Sequence, residues 1–472
     1  MSDRDYDVVV VGAGGAGLAA AHAASARGAR VLLLEAAERL GGSTALSGGV
    51  FYAAGTSVQL AAGVIDSPDA LFRYYMAVNG YRLQPSLIRR FCEEGAPAFE
   101  WLVAMGVDFP VHNLYAAGLD GARRGHRAQG LGRAIVDVLE ARLDRARVDV
   151  SCRVRVDRLE RDPAGAIAAV HVAGERISCH AVVLATGGFG ANTEMLARLF
   201  PSAAAYGDWV WYVGCKTCRG DGIALGLSQG AEITGNDTGS AVLTPGFSKS
   251  DFEPYIPGWF IFVGHDGRRF TDETIDYSVS SNLVRDLPAG ECFALFDEAA
   301  RQAANPSSNS DKDQGKAYPF ANWTTERLGV MADAGRIFRA GTLDALAALV
   351  GLEPLRLAQT VARYNHDCAA GRDTLFGKDA ALLRPLRSGP FYAVRIRPAI
   401  VGSTGAGLRT DADARVLDAW DRPIPGLLAA GETVGGVHGQ CYVGGGGSIA
   451  NAIIFGRIAG LGAARLAGAG AG

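Results

Sequence analysis

The 472-residue chain has no run of about 18 uninterrupted apolar residues, the length that predicts a membrane-spanning helix. Stable membrane insertion is therefore not expected. Its first residues, Met1–Asp7, are polar and acidic and lead straight into an apolar run, so no secretory leader is read there. An excess of one charge is also missing. Forty-six Lys and Arg against 49 Asp and Glu leave a net charge of −3, which gives no footprint for nucleic acid or an anionic surface. Cysteine is scarce. Eight thiols scattered through a long chain exclude a disulfide scaffold and fit a reduced, cytoplasmic protein. A single CxxC, Cys215–Cys218, has no second pair to complete a structural zinc set, so no metal is expected; redox use of the pair stays open. There is no CxxCH for covalent haem either, so a redox reaction would need a separate electron partner.

Glycine is what the chain has in excess. Sixty-three glycines are about 13% of the residues, against a usual ~7%. No Gly-X-Y period is present, and 49% of residues are hydrophobic, which excludes collagen and flexible linkers. The surplus therefore predicts many places where backbone approaches something closely. Twenty-eight of the glycines fall in the short stretches 12–17, 41–49, 187–190, 220–226, 402–407 and 426–460.

Asp7–Val11 (DVVVV) reads as a strand buried on both faces. Gly12–Gly17 (GAGGAG) follows, then an Ala-rich helix to about Arg27, then the strand Arg30–Leu34 ending at Glu35. This is a βαβ unit with the dinucleotide fingerprint. Gly12 permits the tight turn, Gly14 lets a pyrophosphate reach backbone, and Gly17 lets helix and strand pack. The helix start, with Gly15 and Ala16, offers N–H groups to phosphate. Glu35, followed by Ala36, can accept from ribose hydroxyls and would repel a 2′-phosphate.

Residues 66–145 read as mainly helical, and 148–184 as strands around the turn Asp162–Gly165. Val182–Gly190 (VVLATGGFG) is another apolar strand running into glycine. Residues 207–395 change character. They carry more aromatics, a polar loop at Asn305–Lys316 and a helix-like stretch at 340–370. Glycine motifs return after Phe391, and the tail Gly460–Gly472 is expected to fray. The reading is an α/β protein: a Rossmann-type nucleotide-binding domain, 1–206 and 396–472, interrupted by an inserted α+β cap, 207–395.

Five further motifs share this order: Arg39–Gly49 (RLGGSTALSGG), Ala185–Gly188 (ATGG), Gly220–Gly226 (GDGIALG), Ala429–Glu432 (AAGE) and Gly447–Gly460 (GSIANAIIFGRIAG). Together they resemble the flavoprotein family of fumarate reductase and the 3-ketosteroid dehydrogenases over nearly the whole chain. The resemblance implies FAD as cofactor. It places Gly41, Gly42, Ser43, Thr44, Ser47, Gly48 and Gly49 along the flavin, with Ala185, Thr186, Gly187 and Asp221 as further cofactor contacts. Glu432, after Gly431, would hold the ribityl chain, and Ser448 and Ile449 would start a helix at the pyrimidine end. The covalently flavinylated branch has a histidine where Gly42 stands, so noncovalent FAD is implied. Arg123–Arg127 (RRGHR) matches a segment expected to play a structural part near the flavin.

The fumarate branch grips a dicarboxylate with two arginines and two histidines. The position of one arginine, four residues after Arg268–Glu273 (RRFTDE), is Tyr277. That of the other, in His438–Gly447 (HGQCYVGGGG), is Tyr442. Tyrosine at both places resembles the ketosteroid dehydrogenases, which pass a hydride to flavin N5. Carried over, Tyr277 is the base that takes the proton beside a ketone. Tyr442, with a glycine N–H such as that of Gly446, polarises the carbonyl. Tyr115 is a third candidate. Trp209, Trp211, Tyr212, Phe252, Tyr255, Trp259, Phe260 and Phe262 either form the cap core or line an apolar ring site. The expected activity is desaturation of a small apolar cyclic ketone, with a quinone or electron-transfer protein as acceptor. The alternatives are an enone or unsaturated-carboxylate reductase, and a flavin redox sensor without turnover.

Overall fold

A computed structural model describes residues 4–304 and 321–469; the expected loop Asn305–Lys316 lies outside the described residues. Val8–Val11 is fully buried, as four valines in succession require. It pairs in parallel with Val31–Glu35 on one side and Ala181–Leu184 on the other. The complete sheet runs 415–417, 423–429, 181–184, 8–11, 31–35, 148–152. All its pairs are parallel except that of Arg415–Leu417 with Pro423–Ala429. The chain leaves the opening strand to one side first and later returns on its other side. That reversal puts a crevice at the C-terminal ends of the strands, where α/β sheets bind ligands. Val11, Glu35, Leu184 and Ala429 all end there, and three of the four run into glycine within three residues.

The opening helix, Gly15–Ser25, lies against the closing helix, Gly447–Leu466. Small residues set that distance. A Cβ on Gly456 would stand 2.4 Å from the Ala16 carbonyl oxygen, and one on Gly460 2.2 Å from that of Ala20. The expectation of fraying from Gly460 is therefore corrected: the helix continues to Leu466, and its small residues serve close packing. Among the described residues this is the one helix long and apolar enough to cross a membrane, and two thirds of its most apolar window is buried within the protein.

Residues 66–145 are less helical than expected. Helices Pro68–Val78, Pro85–Met105 and Leu131–Ala141 are present, but Leu114–Ala116 and Arg123–Arg127 are strands. The latter pairs antiparallel with Leu114–Ala116 and Val50–Tyr52. The charged strand buries Arg124 and His126 on one face, a placement its composition hides. Arg124 is paired with Asp66 at 2.6 Å and Asp120 at 2.7 Å. His126 Nδ1 faces the carbonyls of Arg124 and Phe51 at 2.8 and 3.1 Å, which assigns the proton to Nδ1. Its Nε2 then accepts from Thr56 Oγ1 at 2.7 Å. Burial pushes this imidazole down to about 4.

The chain separates into two compact units. Residues through Ala204, Gly214–Ser240 and the chain from Gly402 onward form the first; Ala205–Val213 and Ala241–Val401 form the second. Segment 214–240, counted above with the insertion, thus packs with the nucleotide-binding unit, where Gly222 abuts Thr186 and Gly226 abuts Leu408. In the second unit residues 391–396 of strand Phe391–Thr404 pair with Cys292–Asp297, which pairs with Ile261–Val263. Helices Leu343–Val350 and Pro354–Ala370 occupy the expected helical stretch. Trp259, Phe260 and Phe262 belong to a core that also holds Phe296 and Trp323, with Tyr255 packed on it. Beside this core lies a buried ion cluster. Arg269 pairs with Glu273 at 2.9 Å and Asp373 at 3.0 Å, and Lys378 Nζ reaches Glu273 at 3.0 Å.

Two predictions follow from these buried charges. Arg269→Ala leaves two buried carboxylates short of a partner, and should cost about 3–5 kcal/mol in urea unfolding followed by tryptophan fluorescence. His126 binds its proton more weakly folded than unfolded, so the unfolded chain takes up more protons between its ordinary value near 6.5 and about 4. Stability should fall as pH drops through that window, and His126→Gln should flatten the fall; an equal slope in the variant would refute the assignment.

Candidate functional site

The site is built from loops at the C-terminal end of the first unit's sheet. Gly12 has φ +98°, and a Cβ there would lie 2.4 Å from the Ala185 carbonyl oxygen. A Cβ on Gly17 would stand 1.7 Å from Gly12 O, so the helix can sit this close to the strand only without one. Gly14 differs: the nearest atom to its absent Cβ is Gly41 O at 3.9 Å. No side chain caps the helix at Gly14. The loop thus offers an open cradle of backbone at a helix N-terminus, the arrangement that suits a pyrophosphate. Gly15 N–H donates to Thr44 Oγ1 at 3.2 Å, and Ala16 Cβ packs where a Cβ on Gly431 would be, 2.9 Å away.

Glu35 is buried, its two oxygens accepting from the N–H groups of Ala13 and Ala37 at 2.8 Å each, the latter just past Ala36. Each oxygen keeps a lone pair, enough to accept two ribose hydroxyls. Gly41 N–H donates to Ala13 O at 2.8 Å, and Gly42 lies against Gly14. Ser43 Oγ accepts from Cys215 N–H at 3.0 Å. Ser47 Oγ donates to Thr44 O at 2.7 Å. A Cβ on Gly49 would stand 2.3 Å from the Leu131 backbone, so that glycine serves internal packing. Gly48 has open space beside it.

Across the crevice, Ala185 continues the pairing to Val11, and Thr186 Oγ1 accepts from Gly222 N–H at 3.0 Å. Thr433 Oγ1 donates to Gly187 O at 3.1 Å. The Asp221 carboxylate is paired with the Arg155 guanidinium. Glu432 Oε1 accepts from both N–H and Oγ1 of Thr404, at 2.7 and 2.8 Å. Desolvation pushes the Glu432 carboxyl up, and the Thr404 bonds oppose that. Sequence reading missed Thr404 and Thr433; a threonine adjoining each late glycine motif was the available signal.

At the start of the closing helix, Gly446 is left-handed at φ +103°, and a Cβ there would strike Val50 O at 2.7 Å. The turn brings Tyr442 back onto the helix. Tyr442 Oη accepts from Ser448 N–H at 2.9 Å and donates to Ser448 Oγ at 3.1 Å. Desolvation raises the phenol above its ordinary value, while amide bonds from Ser448 and Gly446 pull the other way. The Gly446 N–H thus lies within hydrogen-bonding reach of the Tyr442 hydroxyl. Ile449 is buried one residue further on. His438 Nε2 lies 3.5 Å from Ser448 Oγ, and its Nδ1 3.5 Å from Tyr75 Oη, which donates to Val437 O at 2.8 Å. Tyr115 is buried with its hydroxyl against Gly445, and Arg127 covers its ring at 5.2 Å. The fold therefore brings Tyr442, Gly446 and Tyr115 to one glycine cluster. Tyr277 lies in the second unit, at the first turn of helix Tyr277–Arg285, capped by Asp276 and set edge-on to Tyr255 at 5.5 Å.

The family described as FAD binding domain matches residues 7–449. The chain is 30% identical to a fumarate reductase (cytochrome) of Shewanella frigidimarina, covering 97% of this chain and 77% of that one. It is 29% identical to a 4-oxocyclohexanecarboxylate 2-dehydrogenase of Sinomonas cyclohexanicum, covering 96% and 92%. Among solved structures, the 3-ketosteroid-Δ4-(5α)-dehydrogenase of Rhodococcus jostii RHA1, in complex with 4-androstene-3,17-dione, superposes with TM-score 0.80 at 26% identity, covering 98% of each chain. The open cradle at Gly14, the pinned Glu35 and the uncapped helix fit the adenosine pyrophosphate of FAD, and Gly42 offers no side chain for a covalent bond. The chain belongs to the FAD-binding-domain family and is an FAD-dependent oxidoreductase.

Proposed function

We propose that the protein desaturates a cyclic ketone next to its carbonyl, of the 3-ketosteroid or cyclohexanone type. The observation that carries this reading is Tyr442, seated at the N-terminus of the closing helix where a dicarboxylate reductase would need an arginine. The raised phenol keeps its proton at neutral pH, and turning it from Ser448 Oγ makes it a donor toward a developing enolate. The helix N-terminus behind it favours that negative charge. Two relatives point the same way, since one is a dehydrogenase of a ring ketone and another holds a steroid dione.

Tyr277 takes the proton from the carbon beside the carbonyl, an assignment resting on its place four residues after RRFTDE. Bound FAD supplies the two-electron acceptor, and a quinone or electron-transfer protein reoxidises it. Gly12–Gly17, Glu35, Gly41–Thr44, Ala185–Gly187 and Glu432 hold the cofactor. Asp221, paired with Arg155, is a further contact. Tyr115 backs the glycine cluster.

One observation favours a second reading, the reverse reduction of an enone. His438 is buried and pushed down to about 4, so it is neutral. If Nδ1 donates to Tyr75, Nε2 can accept from Ser448, which in turn accepts from Tyr442. That chain can exchange a proton with Tyr442 in either direction, so the acceptor decides which way the enzyme runs.

Tyr442→Phe removes one donor to the carbonyl and should lower kcat about 100- to 1,000-fold, with flavin absorbance at full occupancy. Unchanged turnover would remove the assignment. Anaerobic addition of saturated cyclohexanone and 3-ketosteroid substrates should bleach the wild-type flavin; bleaching by succinate-type diacids alone would favour the carboxylate reaction. Gly14→Leu fills the cradle, and the purified variant should be folded by circular dichroism yet lack yellow colour.

A further inference from the structure

The Cys215–Cys218 pair is not used by the chemistry above. The Cys218 N–H donates to Cys215 O at 3.0 Å, closing a four-residue turn. Such a turn holds its end Cα atoms within about 7 Å, inside the span of a disulfide. The two thiols are hydrogen-bonded to each other, and Cys215 Sγ also meets Thr217 Oγ1 at 3.0 Å. Those bonds hold the Cys215 thiol well below its ordinary value. Cys215 is partly exposed, Cys218 is buried, and the flanking Lys216 and Arg219 are exposed cations. This is the asymmetry of an attacking thiol with a resolving thiol behind it. All eight cysteines are unbridged, and among the described residues no group of three or more metal-ligating side chains includes the pair.

The turn is tied to the cofactor loops. Ser43 Oγ accepts from Cys215 N–H and lies 3.5 Å from Cys218 Sγ. Cys218 Sγ also covers Gly187, 2.8 Å from where a Cβ would stand. We propose that Cys215 and Cys218 form a reversible redox site that takes a low-molecular-weight disulfide as its oxidant. The Cys215 thiolate attacks one sulfur of that disulfide, whose S–S bond breaks and releases one small thiol. Cys218 then loses its proton and attacks Cys215 Sγ, releasing the second small thiol and leaving a Cys215–Cys218 disulfide. Two protein thiols are oxidised and one external disulfide is reduced. Oxidation removes the Cys218 thiol from its contact with Ser43. The site stands independently of the ring-ketone reading.

The test treats the FAD-loaded protein with oxidised glutathione, blocks remaining thiols, and maps peptides by mass spectrometry with and without dithiothreitol. The wild type should yield a Cys215–Cys218 disulfide that dithiothreitol reverses. Cys218→Ser should stop at a glutathione adduct on Cys215, and Cys215→Ser should leave Cys218 unmodified. Flavin absorbance confirms that each variant is folded and loaded. A wild type in which both thiols stay blockable, or which stops at the mixed disulfide, would overturn the proposal. So would oxidation confined to other cysteines.

Discussion

The first unit depends on one steric constraint, the absence of a side chain at Gly17. A single methyl there would overlap the carbonyl of Gly12 at 1.7 Å. Without it, the opening helix lies directly on the strand that precedes it, and its N-terminus faces the sheet's C-terminal edge. Everything brought to that edge is set relative to this contact. Glu35 is held through Ala13, Thr44 through Gly15, and the Gly41–Gly42 turn through Ala13 and Gly14. The same device recurs where Gly456 and Gly460 admit the closing helix to the opening one. Removing side chains thus does the positioning that directional bonds do elsewhere, because backbone-to-backbone contact leaves little freedom to shift.

Charge is handled differently. Both units bury guanidinium groups against two carboxylates, Arg124 with Asp66 and Asp120, Arg269 with Glu273 and Asp373. Such clusters add little net stability over apolar packing, but they are costly to break. They therefore fix which segments meet. Arg124 ties the charged strand to the start of the helical region, and Arg269 ties the RRFTDE segment to the loop after helix Pro354–Ala370.

The sequence was most legible where local pattern and tertiary role coincide. DVVVV, GAGGAG and RVLLLE each carry their structure in composition, and the sheet places them as expected. RRGHR was legible as a structural segment but not as a strand, because a strand that buries an arginine and a histidine shows no apolar alternation. The Ala/Gly tail was misread for the converse reason: small residues that look flexible in isolation are a packing surface once a second helix lies on them. Gly49 and Asp221 are marked by motif, but their contacts with Leu131 and Arg155 depend on the fold. A motif marks a neighbourhood, and neighbours there still divide the labour. Tyr442 was legible as a position, but its bonds to Ser448 depend on the left-handed turn at Gly446, which spacing alone does not specify.

The pairing of the opening and closing helices bears on synthesis. The opening helix leaves the ribosome early, but its apolar face awaits helix Gly447–Leu466, made more than 400 residues later. Contacts of such long sequence separation form late and expose surface meanwhile. The nascent nucleotide-binding unit is thus an incomplete sheet for most of translation, whereas the second unit, largely contiguous in sequence, can close first. The chain segment that carries the glycine fingerprint is therefore made first and completed last.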